Sequence, residues 1–332
     1  MRILVIQTAW IGDNILTLPL IQILAEAGNE VEVMTTPKAH QIYVNNPFVS
    51  DILLFDKNGA DRGIGGILKI VPIIKSRNYD AALLAQRWWR NALIAFLAGI
   101  PLRIGFKSSP AKILYTKTVD VSNFDHEAKR LAALAIPLGI AYSQLPQPKL
   151  YPAESHRIQA HLFLSENAPK GKRLIFIAPG SAWETKRYPF FAEVGRKLVE
   201  SSYAIGIVGT IGEKELCRSI AKEIGRETFV STSNDILFTS ALFSFGEVVI
   251  ANDSGAGHIA AASGVPVVSI FGPTTPEMGF YPLASKAKVV EVNLECRPCG
   301  PHGHKRCPRG HHNCMRLIKP EEVVAAALSL IE

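Results

Sequence analysis

Short runs of consecutive apolar residues alternate along this chain with longer stretches in which apolar residues recur every three or four positions. Ile3-Leu4-Val5-Ile6 is the first run, of the kind that forms a strand buried on both faces. A turn at Ala9–Asp13 leads into helical spacing through Ile15, Leu16, Leu20, Ile23, Leu24 and Ala27, which Gly28 stops. Strand-like runs follow at 31–34, 52–55 and 81–85, with helical spacing near 64–76 and 90–98. Helical spacing from His126 to Leu138 gives way to a stretch with Pro146, Pro148 and Pro152, which reads as a linker. The alternation then restarts, with strands expected at 174–178, 204–208, 248–251 and 267–270. Helices are expected at 190–200, 213–223, 256–263 and 320–331. Strands alternating with helices argue for parallel sheets built from βαβ units. The pattern therefore predicts an α/β chain of two Rossmann-like domains, 1–150 and 151–332. Ligands of such sheets bind beyond the carboxyl ends of the strands, so the loops after the strands carry the candidate chemistry.

Composition narrows the class. With 48% apolar residues the chain is not disordered, and five cysteines in 332 residues do not make a disulfide scaffold. The N-terminus reaches polar Gln7 within a few residues and shows no signal-peptide pattern. The longest apolar stretch, 92–100, falls well short of a membrane span, so a soluble, cytoplasmic protein is expected. The net charge of +7 is unevenly placed. Residues 81–119 carry Arg87, Arg90, Arg103, Lys107, Lys112 and Lys117 with no acid, and residues 296–320 also lack acids. Such stretches suit an anionic partner (a nucleotide, a nucleic acid or a membrane surface) or are solvated faces balanced by acids elsewhere.

Four segments draw attention. Gly12-Asp13 follows the first strand without the G-x-G-x-x-G of a dinucleotide site; Asp13 reads either as a helix cap or as a carboxylate base. Pro179-Gly180-Ser181 with Lys186-Arg187 puts a Gly-Ser turn and two cations before a helix, suited to phosphate but not a Walker motif. Asn252-Asp253-Ser254-Gly255-Ala256-Gly257-His258 is a polar turn entering a small-residue helix, where amides and hydroxyls can hold an anion. Asn252 or Asp253 as a plain cap is the alternative. Cys296-x-x-Cys299 with Cys307 and Cys314 reads as a structural zinc site or as a loop with free thiols.

Taken together, these segments resemble the bacterial lipopolysaccharide heptosyltransferases, glycosyltransferase family 9. The resemblance runs through Trp10-Ile11-Gly12-Asp13, Leu97-Ala98-Gly99-Ile100-Pro101, Pro179-Gly180-Ser181, Lys186-Arg187-Tyr188-Pro189, Asn252-Asp253-Ser254-Gly255 with His258, and Phe271-Gly272-Pro273-Thr274. The cysteine-rich tail looks like the heptosyltransferase II branch. The resemblance implies a GT-B fold, two Rossmann-like domains with parallel sheets facing across a cleft. The N-terminal domain would bind the acceptor and the C-terminal domain the ADP-sugar. It implies inverting, metal-independent transfer of heptose from ADP-heptose to the inner core of lipopolysaccharide (lipid A-Kdo-heptose), as the second heptose. It needs no cofactor for catalysis, and the tail cysteines keep a structural zinc open.

By the same resemblance Asp13 is the general base, Lys186 binds the diphosphate and Ser181 is a phosphate-loop hydroxyl. Asp253, Ser254, Gly255 and His258 surround the donor's phosphates and sugar, and Glu213 holds the adenosine ribose. Arg87 and Arg90, beside Trp88 and Trp89, then become acceptor contacts, because inner core is rich in carboxylates and phosphates. The same basic surface implies peripheral contact with the anionic inner face of the cytoplasmic membrane. Three rival readings differ in chemistry: another GT-B glycosyltransferase with a different donor, a nucleotide-sugar epimerase, and a nucleic-acid-binding protein. The last lacks a finger motif, and nucleic acid is not expected as a partner.

Overall fold

In the computed structural model, which describes residues 1–331, the chain divides into two compact units, Met1–Tyr151 and Pro152 onward. The first unit holds strands β1 (Arg2–Ile6), β2 (Glu30–Thr35), β3 (Asp51–Leu54), β4 (Ala81–Leu84), β5 (Leu102–Phe106) and β6 (Lys117–Val119). Its helices are α1 (Ile11–Glu26), α2 (Gly63–Ser76), α3 (Trp89–Leu97) and α4 (Glu127–Ala132). The second holds β7 (Arg173–Ala178), β8 (Tyr203–Gly209), β9 (Thr228–Thr232), β10 (Val248–Asn252), β11 (Val267–Ile270) and β12 (Ala287–Val290). Around them lie α5 (Glu154–Asn167), α6 (Phe191–Glu200), α7 (Lys214–Ile224), α8 (Ile236–Phe243), α9 (Gly255–Ala262), α10 (Asn313–Arg316) and α11 (Pro320–Ile331).

Each unit is built on one six-stranded, all-parallel sheet. The first runs β3-β2-β1-β4-β5-β6 and the second β12-β11-β10-β7-β8-β9, so both have the doubly wound order in which the chain starts centrally and works outward twice. The central strands β1, β4, β7 and β10 are almost wholly buried, which explains why they read as unbroken apolar runs. Helices close both faces. Ile67, Ile70 and Ile74 of α2 pack with Ile94, Ala95 and Ala98 over Leu4, Ile6 and Leu84. Val194 and Leu198 of α6 pack with Val323 and Ala327 of α11 over Ile175, Ile205 and Ile250. No helix among the described residues is long and apolar enough to cross a membrane.

Several boundaries differ from the pattern. Helix α1 starts at Ile11, so Gly12 and Asp13 belong to its first turn rather than to a preceding loop. Residues 133–138 tighten into a 3₁₀ turn, with Pro137 inside it. A 3₁₀ turn at Glu184–Lys186 precedes α6, which opens at Phe191. Glu213 ends a 3₁₀ turn, and α7 begins after it. Cys217 is buried core in α7. In each sheet the chain runs outward in opposite directions from the two paired central strands, β1 and β4 or β7 and β10, so a crevice is expected beyond their carboxyl ends, between the loops that follow them.

Candidate functional site

The crevice of the first sheet holds Asp13. The first turn of α1 is pinned by Asn14, whose amide donates to the Trp10 carbonyl at 2.7 Å. The Asn14 Oδ1 atom accepts from Thr35 Oγ1 and from the buried Tyr43 hydroxyl, both at 2.8 Å. Asp13 is the third helical residue, and its carboxylate accepts the Trp10 N–H at 3.2 Å. The capping role therefore exists, from inside the helix, and does not exclude the base role. Burial, followed by the nearby Glu127 carboxylate, pushes the Asp13 carboxyl up to about 6, against the opposing pull of Lys57. That value suits a proton acceptor at neutral pH.

Around Asp13 the charges are mixed. Glu127, buried at the start of α4, pairs with Arg130 at 3.2 Å and with Arg87 at 3.6 Å. Arg87 also lies over the Phe106 ring, 4.3 Å from its centre, and reaches Ser108 at 3.2 Å. Arg87 is thus partly neutralised from within. Burial and the neighbouring Arg90 hold the Lys57 amine below its ordinary range. Lys57 and Arg90 make a pair of close cations suited to an acceptor anion. Not all of the basic stretch is available for that purpose, because Arg103 is tied to the Leu114 carbonyl at 2.8 Å and Lys107 to Asp120 at 3.0 Å.

In the second sheet, the crevice gathers the loops after β7, β10 and β11. Asn252 joins the first two: its Oδ1 accepts the Tyr188 N–H at 3.0 Å and its Nδ2 donates to the Pro179 carbonyl at 2.8 Å. Next to it, Asp253 Oδ2 receives Lys186 Nζ at 2.5 Å and Thr274 Oγ1 at 2.6 Å. Lys186 and Asp253 are both nearly buried, so this pair is a fixed feature. Arg187, by contrast, turns back to the Ser181 carbonyl at 3.0 Å, leaving Lys186 as the cation of the site. Ser181 is buried, and its hydroxyl accepts the Trp183 N–H at 3.3 Å.

Helix α9 begins beside this pair. Ser254, not Asn252 or Asp253, is its cap position, and Gly255 is its first residue. The Ser254 hydroxyl is buried and has no hydrogen-bond partner among the described residues, an orphaned polar group at a helix N-terminus. His258 is buried one turn further on. Glu213 is held after β8 by Thr210, whose N–H and hydroxyl donate to its Oε2 at 2.9 and 2.8 Å. It crosses so close over Gly180 that a Cβ there would lie 2.1 Å from Glu213 Oε1. A side chain at position 180 would displace the Glu213 carboxylate from this place. The geometry thus collects Ser181, Lys186, Glu213, Asp253, Ser254, Gly255 and His258 at the carboxyl edge of one sheet.

The cysteine-rich tail folds onto the same edge. Thr185 N donates to the His304 carbonyl at 3.1 Å, His304 N donates to Thr185 Oγ1 at 2.7 Å, and His312 Nε2 bonds the Thr185 carbonyl at 2.7 Å. The His302 ring lies parallel to that of Trp183, and burial together with Lys186 holds its imidazole below the usual histidine range, against the pull of Asp253. Arg297 is consumed internally: its guanidinium bonds the carbonyls of Gly272, Val292 and Thr274 and the Glu291 carboxylate. Its charge is structural rather than offered to an anionic partner. Burial, then the neighbouring Cys299, pushes the Cys314 thiol up to about 11. Among the described residues no group of three or more His, Cys, Asp or Glu side chains could hold a metal ion.

The family model of glycosyltransferase family 9 (heptosyltransferase) matches residues 67–309. The chain belongs to this family. It is therefore a glycosyltransferase, and its α/β architecture is GT-B. It is 26% identical to lipopolysaccharide heptosyltransferase 2 of Escherichia coli K12, over 100% of this chain and 99% of that one. Among solved structures, a glycosyl transferase family 9 protein from Veillonella parvula superposes with a TM-score of 0.88 at 23% identity, covering 99% of this chain and 97% of its own. The E. coli ADP-heptose lipopolysaccharide heptosyltransferase II superposes with a TM-score of 0.81 at 22% identity, covering 100% and 98%.

Sequence reasoning passed over Glu127, Lys57, Thr185 and Thr274 as site residues. Thr274 carried a signal, its place in a loop directly after a strand. Glu127 and Lys57 carried none, because only the tertiary fold brings them near Asp13.

Proposed function

We propose that this glycosyltransferase moves heptose from ADP-heptose to the inner core of lipopolysaccharide, as the second heptose, with inversion and without a metal. The observation that carries the reading is a carboxylate poised near 6 in the first unit of a family 9 chain that matches a lipopolysaccharide heptosyltransferase 2 end to end. In this mechanism Asp13 takes the proton of the acceptor hydroxyl as its oxygen attacks the anomeric carbon. The bond from that carbon to the diphosphate oxygen breaks on the opposite face, and ADP leaves with the electron pair. Developing charge on the diphosphate needs cations and amide dipoles already in place. Lys186, the N-terminus of α9 and the Ser254 hydroxyl supply them. Glu213 is the ribose contact, and His258 and the remaining Asp253 oxygen face the sugar. Lys57 and Arg90, with Arg87, hold anionic groups of the lipid A-Kdo-heptose acceptor.

The tail cysteines serve structure, and the enzyme works in the cytoplasm at the anionic inner face of the membrane, where its acceptor is anchored. Calorimetric titration of ADP, GDP and UDP into chelator-treated protein tests the donor assignment. Selective ADP binding is expected. Preference for UDP or GDP overturns the donor, and binding of none of them overturns the nucleotide site.

A further inference from the structure

Helices α2 and α3 cover one face of the first sheet, yet their outward faces are apolar. In a helix that merely covers a sheet, the outward face is polar. On α2, Ile64, Leu68 and Pro72 follow one another at four-residue spacing on the outside, and Ile64 is 72% exposed. On α3 the outward positions are Trp89, Phe96 and Leu97, all exposed. The two helices pack against each other, and the 3₁₀ turn at Lys112–Leu114 packs against α3, adding Ile113, 89% exposed. Three neighbouring elements thus each present exposed apolar side chains, interspersed with Lys69, Lys75 and Arg90, and together they form an apolar ridge.

Cations mark its length. Arg62 caps the start of α2 and Lys75 lies in its last turn; Arg90 lies in the first turn of α3 and Lys112 precedes Ile113. The segment 81–119, which contributes α3 and the 3₁₀ turn, contains no acid. Trp88 and Trp89 stand at the end of the ridge nearest the carboxyl edge of β4, and Trp10 is exposed at the neighbouring edge of β1. Tryptophan favours the headgroup boundary, with one side apolar and the other wet.

We infer that this α2–α3 ridge is a membrane-insertion surface, seated in the headgroup boundary of an anionic phospholipid bilayer with the Trp88–Trp89 end toward the acceptor site. Charge complementarity selects the bilayer over a second copy of this chain, since a symmetric pairing would oppose like-charged faces, whereas anionic lipid attracts them. The inference deepens the lipid-linked acceptor reading above. It adds apolar insertion to charge attraction and makes the two separable by salt.

The test uses full-length protein and vesicles of phosphatidylglycerol with phosphatidylethanolamine, or of phosphatidylcholine alone, all free of lipopolysaccharide. Binding does not then depend on donor or acceptor recognition. Co-sedimentation with the anionic vesicles is expected, with a blue shift of tryptophan emission and quenching by brominated lipid tails. Ile64→Ser with Leu68→Ser should weaken vesicle binding by about tenfold or more while leaving calorimetric ADP binding unchanged. Raised salt should weaken the wild type but leave its bound fraction quenched. Equal vesicle binding by wild type and variant would overturn the inference, as would equal binding to neutral and anionic vesicles. A wild-type dimer in sedimentation velocity that the two substitutions convert to monomer would assign the ridge to self-association and overturn it too. Failure of ADP binding with vesicle binding intact would count against the donor reading alone.

Discussion

Replacing Asp13 by Asn should abolish turnover and stabilise the fold at the same time. The carboxyl is raised from an ordinary 3.8 to about 6 by burial and by Glu127, so the folded protein holds its proton about a hundredfold more tightly than the unfolded chain does. Holding the ionised form therefore costs folding free energy. That cost is absent below the unfolded value, grows as the pH rises from about 4 to 6, and is constant above. A shift of about two units corresponds to about 3 kcal/mol at most, and residual solvent contact reduces this to about 1–2 kcal/mol. Asparagine retains an acceptor for the Trp10 N–H and removes the charge. Scanning calorimetry at pH 8 should show Asp13→Asn melting roughly 3–6 °C above wild type, with the gap closing toward pH 4. Turnover at pH 8 should fall by about 10²–10⁴, and the wild-type rate should drop on the acid side with a midpoint near 6. A variant that melts below wild type at pH 8, or keeps turnover within about tenfold, would refute the reasoning.

Three further outcomes follow from the second unit. Lys186→Ala strips the partner from a nearly buried Asp253, so it should weaken ADP binding about tenfold or more and lower thermal stability; adding Asp253→Asn should restore part of the stability but not the binding, by calorimetry. Gly180→Ala places a methyl 2.1 Å from Glu213 Oε1, so steady-state kinetics should show a raised KM for the donor with a smaller change in kcat. Thr185→Val removes the hydroxyl that His304 N–H donates to at 2.7 Å, which should cost about 1–2 kcal/mol in denaturant titration and expose the tail to proteolysis.

What could be read in the sequence was what burial makes legible. The central strands of both sheets are apolar because both faces are covered, and the loops after β1, β7 and β10 followed from them. Helix α5 escaped notice because only Ala160 and Leu164 are buried along it, too few to make a stripe. The edge strands β6, β9 and β12 are short and partly exposed, with no unbroken apolar run to mark them. At the site, two adjacent cations were visible, but only the fold shows that Lys186 meets Asp253 while Arg187 serves the Ser181 carbonyl. Asp13 could be read as a cap or as a base because the first helical turn makes both roles available to one carboxylate. The acid-free tail kept two readings for a related reason: charge along a chain does not reveal which guanidinium, here that of Arg297, closes on backbone carbonyls.

The most direct test of the account is a transfer assay in the presence of chelator. Purified enzyme is given ADP-heptose with lipid A-Kdo or with lipid A-Kdo-heptose, and products are read by mass spectrometry. The account predicts addition of one heptose to the heptose-bearing acceptor only, with ADP released in equal amount. Addition to the Kdo-only acceptor, a strict metal requirement, or ADP release with no acceptor product would contradict it.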